Sequence, residues 1–260
     1  MVNNLPKVIK IETSERAISY QWDENYKKLD PHIAVLDLTS IEKMKDVCFS
    51  TYPTIGDVFV LHPYEDNQYI NILDIENIKN SKFYKYSEIA QQLGAISYEI
   101  EFAKKVNEKA SISVEGNIDV KPYVDMSVDL QNKKKFEEEF GFKMKSGLKG
   151  VKVISHKSFE KAKELVRNYN LEFDEQIKSL IKKRDPENEN LYDFENVQCR
   201  LSKEINSTLD IAMSLGVLNV FELDAKIKKN MEYREDVTFN IKFLFPSDDI
   251  KITDNLVTTI

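Results

Sequence analysis

The sequence predicts an α+β fold: a long, twisted, mainly antiparallel β-sheet whose amphipathic hairpins pack against at least one long helix. Three observations lead there. In "SISVEGNIDVKPYVDMSVDLQ" every even position from Ile112 to Leu130 is apolar, Gly or Pro, and the odd positions are almost all polar. A second alternation holds Val197, Cys199, Leu201, Ile205, Leu209, Ile211, Met213 and Leu215 on odd positions and resumes from Phe221 to Phe245. Between the two, from about Ser158 to Arg184, apolar residues step by three and four, the period of a helix with one buried face. Side chains of a strand alternate between its faces, so a two-residue period means one face on apolar material and one in water.

Taken in order, "KVIKIET", "AISYQW" and "HIAVLDL" read as strands, and Ser40 caps a short helix through "IEKMKDV". "GDVFVLHPY" and "QYINILDI" read as a strand pair joined by the turn "EDN". "SKFYKYSEIAQQLG" reads as a helix that starts near Ser81 or Ser87 and stops at Gly94. Ile96, Tyr98, Ile100 and Phe102 then alternate, "VNEK" turns, and the long even-numbered alternation follows, with Pro122 confined to an edge or bulge. After "QNKKKFEEE", Phe140, Phe142, Met144 and Leu148 alternate again. The helix near 158–184 ends at "RDPENEN", and the odd-numbered alternation runs on from Val197 with breaks at Lys203, Ser207, Lys229 and Glu235. The organisation expected is a mixed α/β portion over 1–93, long amphipathic strand pairs around the helix over 94–245, and a tail over 246–260, or a single domain throughout.

Composition narrows the functions. A chain of 260 residues can bury a sizeable core, and a net charge of −7 disfavours a nucleic-acid partner, which needs clustered Lys and Arg. Two cysteines, Cys48 and Cys199, stand in unrelated contexts, so neither a disulfide framework nor a Zn site is expected. "MVNNLPKVIKIETSER" has no apolar core of a signal peptide, and no run reaches the roughly 18 apolar residues of a spanning helix. A cytoplasmic location is expected. His32, His62 and His156 have no metal-ligand spacing, and "GLKG" lacks the strand-to-helix setting of a phosphate loop. No catalytic residue, metal or cofactor is expected, and Cys48, Cys199 and Trp22 read as core residues.

Here the chain resembles a family. "LDIAMSLGVLNVFELDAKIKKNMEYREDVTFNIKFLF" looks like the second insertion hairpin of gasdermin-type pore formers, and "LGAISYEIEFAKKVNEKASISVEGNIDVKPYVDMSVDL" like the first. The resemblance covers roughly residues 94–245, and the length suits the compact bacterial members. It implies a soluble-state effector that, after activation by a protease, inserts hairpins into a membrane as a homo-oligomer, in bacterial defence or cell death. Membrane lipid is then the partner, met by Ile112, Val114, Val124, Met126, Val128, Leu209, Ile211, Met213, Phe239 and Ile241. The tail "PSDDIKITDNLVTTI" supplies Ile250, Ile252, Leu256, Val257 and Ile260 as an inhibitory lid. The residues alone leave two rivals open: a non-enzymatic carrier of a lipid or other apolar ligand, and an interaction or scaffold protein without ligand.

Overall fold

The computed structural model describes residues 5–22, 29–112, 118–127, 130, 133–150, 154–188, 193–217, 221, 223 and 225–246. Among these the chain is mixed α/β, with two five-stranded sheets and eight helices. It divides into two compact units, each drawn from separated stretches: Met1–Lys79, Val106–Asp125 and Ser202–Asp236, and Asn80–Lys105, Met126–Leu201 and Val237–Ile260.

The first unit holds β1 (Val8–Ile11), β2 (Ile33–Leu36), β3 (Cys48–Phe49), β4 (Val58–Leu61) and β5 (Gln68–Asn71), in the order β2-β1-β4-β5-β3. β1 pairs parallel with β2, and α1 (Ser14–Trp22) makes the crossover between them. β4 is antiparallel to both β1 and β5. All four residues of β1 are buried, as a strand covered on both faces requires. On one face Val8, Val35 and Val60 join Ala17 of α1, Leu209 and Met213 of α7 (Lys203–Ser214), and Ile227 and Met231 of α8 (Ala225–Glu232). On the other, Ile9, Ile11, Phe59 and Tyr69 meet Leu38 and Ile41 of α2 (Leu38–Glu42), a helix capped by the Asp37 carboxylate.

The second sheet runs β7-β6-β10-β9, with β8 also on β6. Its strands are β6 (Ser97–Ile112), β7 (Ile118–Ser127), β8 (Lys145–Gly147), β9 (Phe194–Arg200) and β10 (Tyr233–Leu244). β10 is antiparallel to β9, with Phe239 opposite Cys199 and Ile241 opposite Val197. In the second unit Val237, Phe239, Ile241 and Phe243 are fully buried. Phe239 meets Phe136 and Phe140 of α4 (Lys133–Phe140), and Phe142 stacks on Phe83 of α3 (Lys79–Gln92) at 4.1 Å. α5 (His156–Asn168) and α6 (Glu175–Lys183) complete the unit.

Several expectations are corrected. "AISYQW" lies in α1, and Trp22, expected in the core, is 80% exposed. The alternation expected to begin at Phe140 starts instead as the end of α4, and only Lys145–Gly147 is strand. The long helix near 158–184 is two: Asn170 at φ 53° breaks it, and Asp174 caps α6 by accepting from the amides of Gln176 and Ile177. Cys48 is exposed, whereas Cys199 is buried. The alternation from Val197 is a strand only to Arg200; residues 203–214 and 225–232 are helical.

Candidate functional site

Of the residues expected to face lipid, Val124 and Met126 lie on β7 and Ile112 ends β6, all with strand backbone. Val114 and Val128 fall outside the described residues, as do Ile250, Ile252, Leu256, Val257 and Ile260 of the tail. Near the first hairpin, Ile118 is half-buried against the core of the first unit, while Val120 is 37% exposed, so the even-numbered face is not uniformly covered. Phe239 and Ile241 stand on β10 as the alternation requires. Leu209, Ile211 and Met213 do not stand on a strand. They lie on α7, where Leu209 and Met213 are buried and Ile211 is half-buried. Leu209 and Met213 share one core, and Phe239 and Ile241 belong to the other unit.

The helical outcome has a physical reason. Ile205, Leu209, Ala212 and Met213 step by four, three and one, which makes one stripe of a helix as well as most of one face of a strand. Ile211 fits only the strand pattern, and Ala212 only the helix. Tyr64, fully buried, donates its hydroxyl to Glu204 Oε2 at 2.9 Å in the first turn of α7, and its amide donates to Nδ1 of His62 at 3.0 Å. His62 therefore orders the turn after β4. His32 and His156 are exposed.

The remaining charged groups form structural networks that the sequence did not announce. At the end of β1 buried Lys10 donates to the Gly56 carbonyl and lies 3.8 Å from Glu12, which pairs with Arg16 of α1 at 3.6 Å. Burial pushes the Lys10 ammonium below its ordinary value, against the opposing pull of Glu12 and Asp57. Hydrogen bonds from Ser40 and Ser14 bring the Asp37 carboxyl down to about 2. In the second unit, Lys82 on α3 pairs with Asp174 at 3.1 Å, and Lys85 lies 4.1 Å from the centre of the Tyr169 ring. Burial pushes the Asp174 carboxyl up, but Lys82, the Tyr86 hydroxyl and the Ile177 amide together hold it below the usual carboxylate range. Buried Arg184 sits 3.9 Å from the Phe245 ring, and burial lowers its pKa against Glu195 and Asp193. The signal available in the sequence for Asp174 was its place ahead of "EQIKSL", an acidic cap before a periodic run.

Among the described residues no group of three or more His, Cys, Asp and Glu is placed to hold a metal ion, and no helix is long and apolar enough to cross a membrane. Compared with protein-family models, with curated proteins and with solved structures, the chain matches none.

Proposed function

We propose that this protein is a non-enzymatic, pore-forming effector held in a soluble-state fold, with residues 203–235 as an inserting hairpin, of which 203–214 and 225–232 are stored as α7 and α8. The observation that carries the reading is register. β9 and β10 already pair up to Arg200 and Thr238, and the Leu201 amide donates to the Val237 carbonyl at 2.7 Å. Continuing that register sets Lys203 opposite Glu235, Ile211 opposite Ile227, Met213 opposite Ala225 and Leu215 opposite Leu223, with the turn centred on Asn219. Two of the four breaks in the apolar face, Lys203 and Glu235, thereby meet as opposite charges, a favourable cross-strand pair. Each arm exceeds the roughly 9–11 residues that a spanning strand needs. One face would carry Ile205, Leu209, Ile211, Met213 and Ile227 to lipid, and the other Glu204, Asn206, Asp210, Lys226 and Lys228 to water. Lys229 on the apolar face costs about 2–4 kcal/mol if it lies near the midplane.

The gasdermin-like pattern adds the rest of the reading: release by an activating protease, assembly of several copies at the membrane, and a role in bacterial defence or cell death. The first hairpin, β6–β7, supports it less, because Lys104 and Glu108 share the parity of Ile112 on β6.

The test uses dye-loaded liposomes with the full chain and with a chain lacking residues 247–260. The shortened chain is expected to release dye and to exchange helix for strand by circular dichroism on the vesicles. Ile211→Asp should abolish release at modest cost to stability, since Ile211 is half-buried on α7, whereas Ala212→Asp should unfold the soluble fold. A shortened chain that stays folded, monomeric and harmless to vesicles ends the reading, as does release indifferent to Ile211→Asp.

One observation favours a second reading, a scaffold protein. The face of β9 away from the core is open among the described residues: Phe194 is 50% exposed, on one strand face with exposed Asn196, Gln198 and Arg200. A chain inert on vesicles in both forms would leave that reading in place.

A further inference from the structure

We infer that β7 is the edge through which two copies of this chain pair in solution, antiparallel and about a two-fold axis at Tyr123. β7 is the terminal strand of its sheet, and among the described strands β6 is its one neighbour. It is 10 residues long, against about 5–6 for an ordinary strand. A long edge presents unpaired N–H and C=O groups, which template the addition of another strand.

The sequence of β7 selects a second copy as the occupant. When two β7 strands are laid antiparallel about Tyr123, Lys121 of each copy meets Asp125 of the other. Val120 meets Met126 and Pro122 meets Val124, so charge lies opposite opposite charge and apolar residues lie opposite apolar ones. Neighbouring registers lose this match. Centring on Pro122 sets Asp119 against Asp125, and centring on Val124 sets Lys121 against Ser127. Centring between Pro122 and Tyr123 sets Val120 against Asp125, which joins the apolar face to the polar one. A peptide of unrelated sequence would have no use for the Lys121–Asp125 spacing.

Pro122 sets the strength. It has no N–H, so on an edge strand it faces away from the ladder and leaves one hydrogen bond unmade per copy near the middle of the pair. A contact along one strand edge is also smaller than the roughly 1,200 Å² of a stable complex. The dimer is therefore weak and depends on concentration. The pairing needs no membrane, and the test is run without lipid.

Sedimentation of the full chain over a concentration series reads the dimer directly. Asp125→Lys should weaken it by roughly tenfold, because two attractive pairs become repulsive ones. The double variant Lys121→Asp with Asp125→Lys should restore it, and Pro122→Val should tighten it. Thermal melts that match the parent chain establish that each variant is folded. A chain that stays monomeric throughout, or a dimer that ignores the single reversal, overturns the inference; so does a double variant that fails to recover.

Discussion

On β10 the odd-numbered residues Val237, Phe239, Ile241 and Phe243 are buried along one face of a strand, whereas on α7 the odd-numbered Ile205, Leu209 and Met213 are buried along one stripe of a helix. The spacing of apolar residues is almost the same in both. What differs is the residues between and around them. β10 fills its positions with Val, Thr, Phe and Ile, which suit a pleated surface, and has β9 and β6 on its two sides. α7 mixes the good helix formers Leu, Ala, Met, Glu and Lys with Ile, Thr, Ser, Asn and Asp, and its Ala212 stands at the one position that completes a helical stripe. Where the large apolar residues share one parity, their period alone cannot choose between the two. Propensity and available strand partners decide.

The largest expected effect tests the burial on which the comparison rests. Phe239→Ala should cost about 3–5 kcal/mol and Leu209→Ala about 2–5 kcal/mol in urea unfolding, as fully buried side chains leave cavities. Ile211→Ala should cost far less, since Ile211 is half-buried on α7. Equal costs for Ile211 and Leu209 would mean that α7 is read on the wrong face.

A second measurement uses α5 and α6, where one period of 3.6 residues runs across two helices separated at Asn170 and Asp174. Asp174→Asn preserves the N-cap, which Asn also satisfies, and removes the charge facing Lys82, whose side chain is 1% exposed. Breaking a buried pair from one side costs about 3 kcal/mol or more. The sign of its pH dependence follows from the lowered pKa of Asp174. The folded state binds that proton more weakly than the unfolded chain does. The stabilisation is therefore complete above the ordinary carboxylate value of about 3.9 and is lost as pH falls through the lower folded value. Denaturation by acid, followed by far-UV circular dichroism, should show a shallower loss of stability below about pH 4 in the Asn variant than in the parent. Matching slopes would assign acid sensitivity to other carboxylates.

These cases show how far the sequence was legible. β4, β5, α3, β9 and β10 could be read from it because apolar period, residue type and end signals agree, as with Gly94 at φ 94° just after α3. In α1 the run of Ala17, Ile18 and Tyr20 resembles a short strand, while the helix buries the small Ala17, packs Tyr20 edge-on against Phe221 and leaves Ile18 and Trp22 exposed. The break at Asn170 and Asp174 carried recognisable stop and start residues but lay inside an otherwise continuous apolar stripe. The strand placement expected for the candidate set holds where the fold was legible: Phe239 and Ile241 sit on β10, where period and propensity agree, and Leu209, Ile211 and Met213 sit on α7, where they disagree.

The smallest effect is also the most direct test of that disagreement, because one substitution should have opposite signs in the two regions. On α7, Thr208 is half-buried and its hydroxyl bonds back to the Glu204 carbonyl at 2.9 Å, an arrangement that slightly strains a helix. Thr208→Ala removes a β-branched residue from a helix and should stabilise the fold by up to about 0.5 kcal/mol. On β10, Thr238 is half-buried opposite Arg200, and Thr238→Ala removes a β-branched residue from a strand, which should destabilise by up to about 1 kcal/mol. Paired unfolding curves at identical conditions resolve differences of this size. If residues 203–214 are stored as helix but suited to strand, Thr208→Ala should also slow dye release from liposomes by the chain lacking residues 247–260, since it favours the stored state over the extended one. An Ala variant that is less stable and releases dye faster would show that Thr208 serves α7 rather than opposing it, and the apparent conflict between period and fold in that segment would disappear.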